Sequence, residues 1–259
     1  MSMKLKLFGA LALTALVSAC GQSNPADTQS ASAEKQIRIA TEASFKPFSY
    51  LDTSGKLVGF EIDLANALCQ EMKAKCDIQN QDWEGLIPGL KANKYDAVMA
   101  GMSITPERLK QVDFSDSYFH NKLVLIGKKG VELSADALDG KQIAVQQATT
   151  SADYLAQHQP KATIKAYDKQ DNAYLDLAAG RVDGMMSDII PALDWLKTPK
   201  GADFEIKGEP IDIQDQVGIA LRKNDPLKDE FNAALSTLKE TGKYDELVNH
   251  YFDANVIKP

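Results

Sequence analysis

Short apolar runs alternate along the chain with longer stretches in which apolar residues recur at helical spacing. Gln36–Ala40 alternates apolar and polar positions, and Leu57–Phe60 and Cys76–Gln79 are further short runs of strand type. Between them, Glu61–Lys75 puts Ile62, Leu64, Ala65, Leu68 and Met72 on one helical face, with Glu61 and Asp63 at the end where a helix dipole favours acids. Leu86–Ala92 predicts a short helix, Ala97–Gly101 a strand and Thr105–Gln111 another helix. Lys122–Gly127 is a strand placed to pass from one domain to another. The units then repeat: Gln142–Val145 with Ser151–Gln157, Lys161–Tyr167 with Asn172–Ala179, and Val182–Met186 with Pro191–Lys197. Asp203–Ile206 is extended, Val217–Leu221 is a second candidate crossing, Leu227–Lys239 is an amphipathic helix, and Tyr244–Phe252 adds a last turn or two.

This alternation predicts an α/β protein with largely parallel sheets in two lobes, joined by two hinge crossings. Residues 36–120 plus 218–259 form lobe 1 and residues 121–217 lobe 2. Ligands of such sheets bind beyond the carboxyl ends of the strands. The loops carrying Glu42 and Phe45, Trp83, and Gly101–Arg108 occupy that kind of position. In Ala100–Arg108, Thr105 suits a helix N-cap and Pro106 the first helical position, which leaves Arg108 in the first turn. A guanidinium, the Ser103 hydroxyl and free N–H groups at a strand end suit a carboxylate. In lobe 2, Thr149 or Thr150 is placed to cap the next helix and free N–H donors for an anion.

The N-terminus changes the picture of where this protein works. Lys4 and Lys6 precede the apolar stretch Leu7–Val17, which is short for a membrane span and reads as an export signal. Leu16-Val17-Ser18-Ala19-Cys20 resembles a bacterial lipoprotein signal. Residues 1–19 are then a signal peptide, Cys20 the lipidation site, and residues 20–35, rich in Ser, Gln, Ala and Asp, a flexible tether. The expected location is the periplasm or the cell surface, with the folded body in water.

Of the 259 residues 44% are hydrophobic and the formal net charge is −7, without a long basic run, which argues against nucleic-acid binding. With Cys20 lipidated, Cys69 and Cys76 remain, and an exported location permits a disulfide between them. A metal site competes, but no histidine lies near this pair. His120, His158 and His250 are scattered without metal spacing. No phosphate loop, nucleophile elbow or zinc motif appears, and no cofactor or metal is expected.

Taken in order, several segments resemble the periplasmic solute-binding proteins of polar amino-acid ABC transporters, the branch that holds lysine/arginine/ornithine, histidine, arginine and glutamine binders. They are Gly59-Phe60-Glu61-Ile62-Asp63-Leu64, Leu86-Ile87-Pro88-Gly89-Leu90, Ser103-Ile104-Thr105-Pro106-Glu107-Arg108, Val112-Asp113-Phe114-Ser115, Ala148-Thr149-Thr150, Gly180-Arg181-Val182-Asp183-Gly184 and Gly242-Lys243-Tyr244. The resemblance implies a two-lobed periplasmic-binding-protein fold of type II that closes on an L-amino acid, acts as a monomer and hands its ligand to a transporter permease. Arg108 would then hold the ligand carboxylate, helped by the Ser103 and Thr150 backbones. Asp188, the Gly101 carbonyl and the Ser103 hydroxyl would take the ammonium. Phe45 and Trp83 would enclose the side chain, with Glu42 as its acid. Ala100, Met102, Gln147 and Thr149 complete the expected set, and Cys69 with Cys76 match the disulfide of the basic-residue binders. Two departures stand out: Ala148 replaces the glycine of many relatives, and Glu42 stands where several basic-residue binders carry aspartate. Arginine or lysine is the expected ligand, with glutamine as the alternative. A cyclohexadienyl dehydratase on the same scaffold, with Glu42 as general acid, is a more distant rival.

Overall fold

Two β-sheets organise the residues described by the computed structural model, Lys35–Phe252. The expected signal peptide, lipidation site Cys20 and tether, as far as residue 34, lie outside the described residues, as do residues 253–259.

In the first sheet the strands run in the order Ala74–Asn80, Lys35–Thr41, Ala97–Val98, Ala220–Leu221, Asp113–Phe114. The first three are parallel, and Ala220–Leu221 is antiparallel to both of its neighbours. Helices Phe60–Glu71 and Leu227–Glu240 cover one face through Leu64, Leu68, Phe231 and Leu235. On the other face Leu86 and Leu90 pack with Tyr95 and Val98. Ser44–Phe45, Ser49–Leu51 and Leu57–Val58 form a small separate antiparallel sheet, so the run Leu57–Phe60 does not enter the main one. Cys69, on the first long helix, and Cys76, on the adjoining edge strand, are joined sulfur to sulfur.

In the second sheet the order is Thr163–Tyr167, Gln142–Gln146, Gly184–Asp188, Phe119–Lys128, Phe204–Ile206. Along Phe119–Lys128, Val124 and Ile126 pack against Ala173 and Leu177, whereas Leu123 and Leu125 join Leu155 on the opposite face. A strand covered on both faces shows a continuous apolar run, as Leu-Val-Leu-Ile does here.

Two adjacent strands link the sheets. Phe119–Lys128 pairs antiparallel with Ile211–Val217, with Asn121 opposite Asp215 and Phe119 opposite Val217. The second crossing therefore begins earlier than the pattern Val217–Leu221 suggests, and Ala220–Leu221 is a separate strand of the first sheet. Polar Asp212, Gln214, Asp215 and Gln216 disguise the crossing in sequence. A register shift between Ile211 and Asp215, with Gln214 at φ 54°, then breaks its alternation.

Candidate functional site: a charged cleft at the strand ends

Between the sheets lies a narrow cavity of about 20 Å³, lined by residues of both sheets. Its walls come from segments that follow the carboxyl ends of parallel strands in both sheets.

On the first sheet's side, Thr105 accepts a hydrogen bond from the Arg108 N–H at 3.2 Å, and Pro106 occupies the first turn. That cap fixes the start of helix Pro106–Leu109 and brings the Arg108 side chain to the cavity. Its guanidinium donates to the Ser103 carbonyl at 2.9 Å and to the Ala148 carbonyl, from the other sheet, at 3.0 Å. It lies 5.2 Å from the Trp83 ring centroid, a cation–π distance. Burial lowers the Arg108 pKa, while Asp215, Asp153 and Asp188 act in the opposite sense. A guanidinium has five N–H donors, and the described residues take hydrogen bonds from two positions, so donors remain for an anion.

Gly101 has φ 58°, and a Cβ there would come within 2.4 Å of a Phe45 ring carbon. Glycine thus lets the loop and the ring pack together beside the cavity. Phe45 also stacks on Phe48 at 5.2 Å, so this side chain is both core and cavity wall. Trp83, in a 3-10 turn over Trp83–Gly85, donates its indole N–H to the Ala148 carbonyl at 3.3 Å.

From the second sheet, Thr149 caps helix Thr150–His158, accepting from the Ala152 N–H at 3.3 Å. The first N–H groups of that helix have no intrahelical partners, and Thr150 is part of the cavity wall. Asp188 ends the strand Gly184–Asp188 and makes no capping bond to the helix that follows. Burial, and next the nearby Asp215 carboxylate, push its pKa up to about 7, against the opposing influence of Asn121 and Arg108.

Glu42 is buried against the cavity, 4% exposed. The Gln146 amide, from the second sheet, donates to both of its carboxylate oxygens at 2.9 and 3.0 Å, and the Ser44 hydroxyl to one at 3.0 Å. Burial raises the Glu42 pKa more than these bonds lower it. Among the described residues no cation makes a salt bridge to Glu42 or to Asp188.

The structure thus gathers Glu42, Phe45, Trp83, Ala100, Gly101, Ser103, Arg108, Thr149, Thr150 and Asp188 around one cavity. Met102 lies outside its wall, in the first sheet's core, and the Gln147 N–H bonds the Tyr167 carbonyl. Sequence reasoning passed over Gln146, Ser151, Gln170, Met186 and Ser187, which also line it. Gln146 carried a signal, since a polar residue ends the apolar run Ile143-Ala144-Val145 at a strand's carboxyl end. Among the described residues no group of three or more His, Cys, Asp or Glu side chains is arranged to hold a metal. No helix among them is long and apolar enough to cross a membrane.

Residues 37–254 match the family model of bacterial extracellular solute-binding proteins, family 3. The chain is 42% identical over 229 residues to a putative ABC transporter arginine-binding protein 2 of Escherichia coli, covering 86% of this chain and 93% of that protein. A Salmonella typhimurium periplasmic binding protein, described for its high arginine specificity, superposes with a TM-score of 0.80 at 37% identity, over 85% of this chain and 100% of the other. An ancestral arginine-binding protein bound to glutamine gives a TM-score of 0.81 at 38% identity, over 85% and 98% of the two chains.

Proposed function

Because the chain belongs to the bacterial extracellular solute-binding proteins of family 3, with their two-lobed, type II fold, we propose that it captures an L-amino acid with a cationic side chain, arginine first, for an ABC transporter. The observation that carries the ligand choice is Glu42. A buried carboxylate whose partners among the described residues are an amide and a hydroxyl is costly, and a guanidinium or ammonium is the group that relieves it. The charged side chains of the cavity wall are Glu42, Asp188 and Arg108, a formal balance of −1. A cationic amino acid, with one carboxylate and two cationic groups, complements that balance, whereas glutamine leaves one acid unpaired.

In this reading Arg108 takes the ligand carboxylate and Asp188 the ammonium, assisted by Ser103 and the Thr150 N–H. Phe45 and Trp83 flank the side chain on its way to Glu42, and the Gln146 amide shares that acid with it. Residues 36–120 plus 218–259 and residues 121–217 act as the two closing lobes. The indole of Trp83 and the guanidinium of Arg108 both bond the Ala148 carbonyl across the gap, contacts suited to a closed form. Lys46 with Asp194 at 3.5 Å and Lys169 with Asp82 at 3.4 Å add exposed ion pairs across the same gap, each worth little alone. Closure would present the ligand to the permease through a shift of population.

The protein acts as a carrier, not an enzyme, and as a monomer, held to a bacterial membrane by lipid on Cys20. The Cys69–Cys76 disulfide braces lobe 1. Calorimetry of the ligand-stripped protein against the twenty common amino acids tests the assignment. Tight binding of arginine or lysine is expected. Binding of glutamine alone, or of none, would defeat it, and turnover of prephenate would replace it.

A further inference from the structure

Asp215 lies on the second crossing strand, outside the cavity wall, and is only 6% exposed. One of its oxygens accepts two hydrogen bonds. The Ser103 hydroxyl, from the loop after the first sheet's strand Ala97–Val98, donates at 2.9 Å. The Asn121 amide, from the other crossing strand, also donates at 2.9 Å. The register shift that precedes Asp215, with Gln214 in the left-handed region, sets this carboxylate opposite Asn121. A costly local backbone thus coincides with a buried charge that meets both crossings and a cavity residue.

A serine hydroxyl has a single proton. With that proton given to Asp215, Ser103 offers the cavity only lone pairs and suits a donor, not an acceptor. The Asp215 charge also acts on Arg108 and Asp188. Resting on the functional reading above, we propose that Asp215 is a positioning residue that makes the cleft demand an α-ammonium group, by orienting Ser103 as an acceptor and placing a second negative charge behind Asp188. Arginine with its amino group and arginine without it would then be told apart largely from the hinge.

The test compares L-arginine with 5-guanidinopentanoate, which lacks only the α-amino group, by calorimetry on the wild-type protein, Asp215→Ala and Asp215→Asn. The wild type is expected to prefer arginine strongly. Asp215→Ala should lower that preference at least tenfold while binding of the deaminated analogue hardly changes. Asp215→Asn keeps both accepted hydrogen bonds and removes the charge, so it should fold even where the alanine variant does not, and should give an intermediate loss. Equal weakening of both ligands, with the preference intact in every variant that folds, would reduce Asp215 to a structural role and overturn the inference alone. A wild-type protein that binds neither probe would overturn the functional reading and this inference together.

Discussion

The two acids of the cleft sit in contrasting surroundings. Asp188 shares its end with Arg108 and Ser103, and behind these stand Asp215 and Asn121 on the two crossing strands. Glu42 meets neutral groups, Ser44 beside it and Gln146 from the opposite sheet. The first end is braced by charges and hinge strands. The second is a carboxylate held by an amide from the opposite sheet. In the proposed reading the contrast separates two tasks: the braced end would recognise what all α-amino acids share, and the Glu42 end would select among side chains.

The largest effect should come from the braced end. Arg108→Ala removes the one cation among the described residues of the cavity wall and leaves the acids unopposed. Losing one partner of a buried charge pair costs about 3–5 kcal/mol, roughly a thousandfold in affinity. Calorimetry should therefore find arginine and glutamine weakened alike, with helical circular dichroism preserved. Retained tight binding of either would place the carboxylate elsewhere. Glu42→Gln should act on one ligand only, lowering arginine affinity by about ten- to a hundredfold, since hydrogen bonds to charged groups contribute about 1.5–3 kcal/mol. Glutamine should bind the variant as well as it binds the wild type. Equal losses for both would erase the division of labour.

A smaller effect concerns protons at the braced end. Burial and the Asp215 carboxylate place the Asp188 pKa at about 7, and a bound ammonium would draw it down. Binding then releases a proton below that pH, so arginine affinity should fall about tenfold from pH 8 to pH 6 and level off above about pH 8. Asp188→Asn should bind weakly and lose this dependence.

The smallest prediction concerns stability. Glu61 is fully buried, accepts from the Gly101 N–H at 2.7 Å and from the Tyr118 hydroxyl, and burial raises its pKa to about 7 from an ordinary 4.5. The folded protein holds this proton at a pH where the unfolded chain has lost it, so the contribution of Glu61 becomes less favourable as pH rises from about 4.5 to 7. Glu61→Gln cannot titrate. In denaturant titrations its stability relative to wild type should improve between about pH 5 and pH 8, by at most about 3 kcal/mol. A pH-independent difference would contradict this.

Much of the fold is legible because its signals are local. Buried parallel strands such as Ile143-Ala144-Val145 are apolar runs, and the Thr105-Pro106 cap announces the helix that carries Arg108. The second crossing is less legible, since its polar residues are satisfied by partners far away in sequence. Asp215 bonds Ser103 and Asn121, positions separated from it by 112 and 94 residues. The same holds for Gln146, whose meaning depends on Glu42, 104 residues before it. Phe45 belongs both to the core and to the cavity wall, because Gly101 leaves room for its ring.

The most direct test of the central claim, that the cleft selects a cationic side chain through Glu42, is a side-by-side calorimetric titration of L-arginine and L-citrulline into the ligand-stripped wild-type protein. The two ligands have nearly the same shape and differ in the charge at the side-chain end. Arginine should bind at least about tenfold more tightly, on the scale of one charged hydrogen-bonded contact. Equal affinities would mean that Glu42 does not read charge.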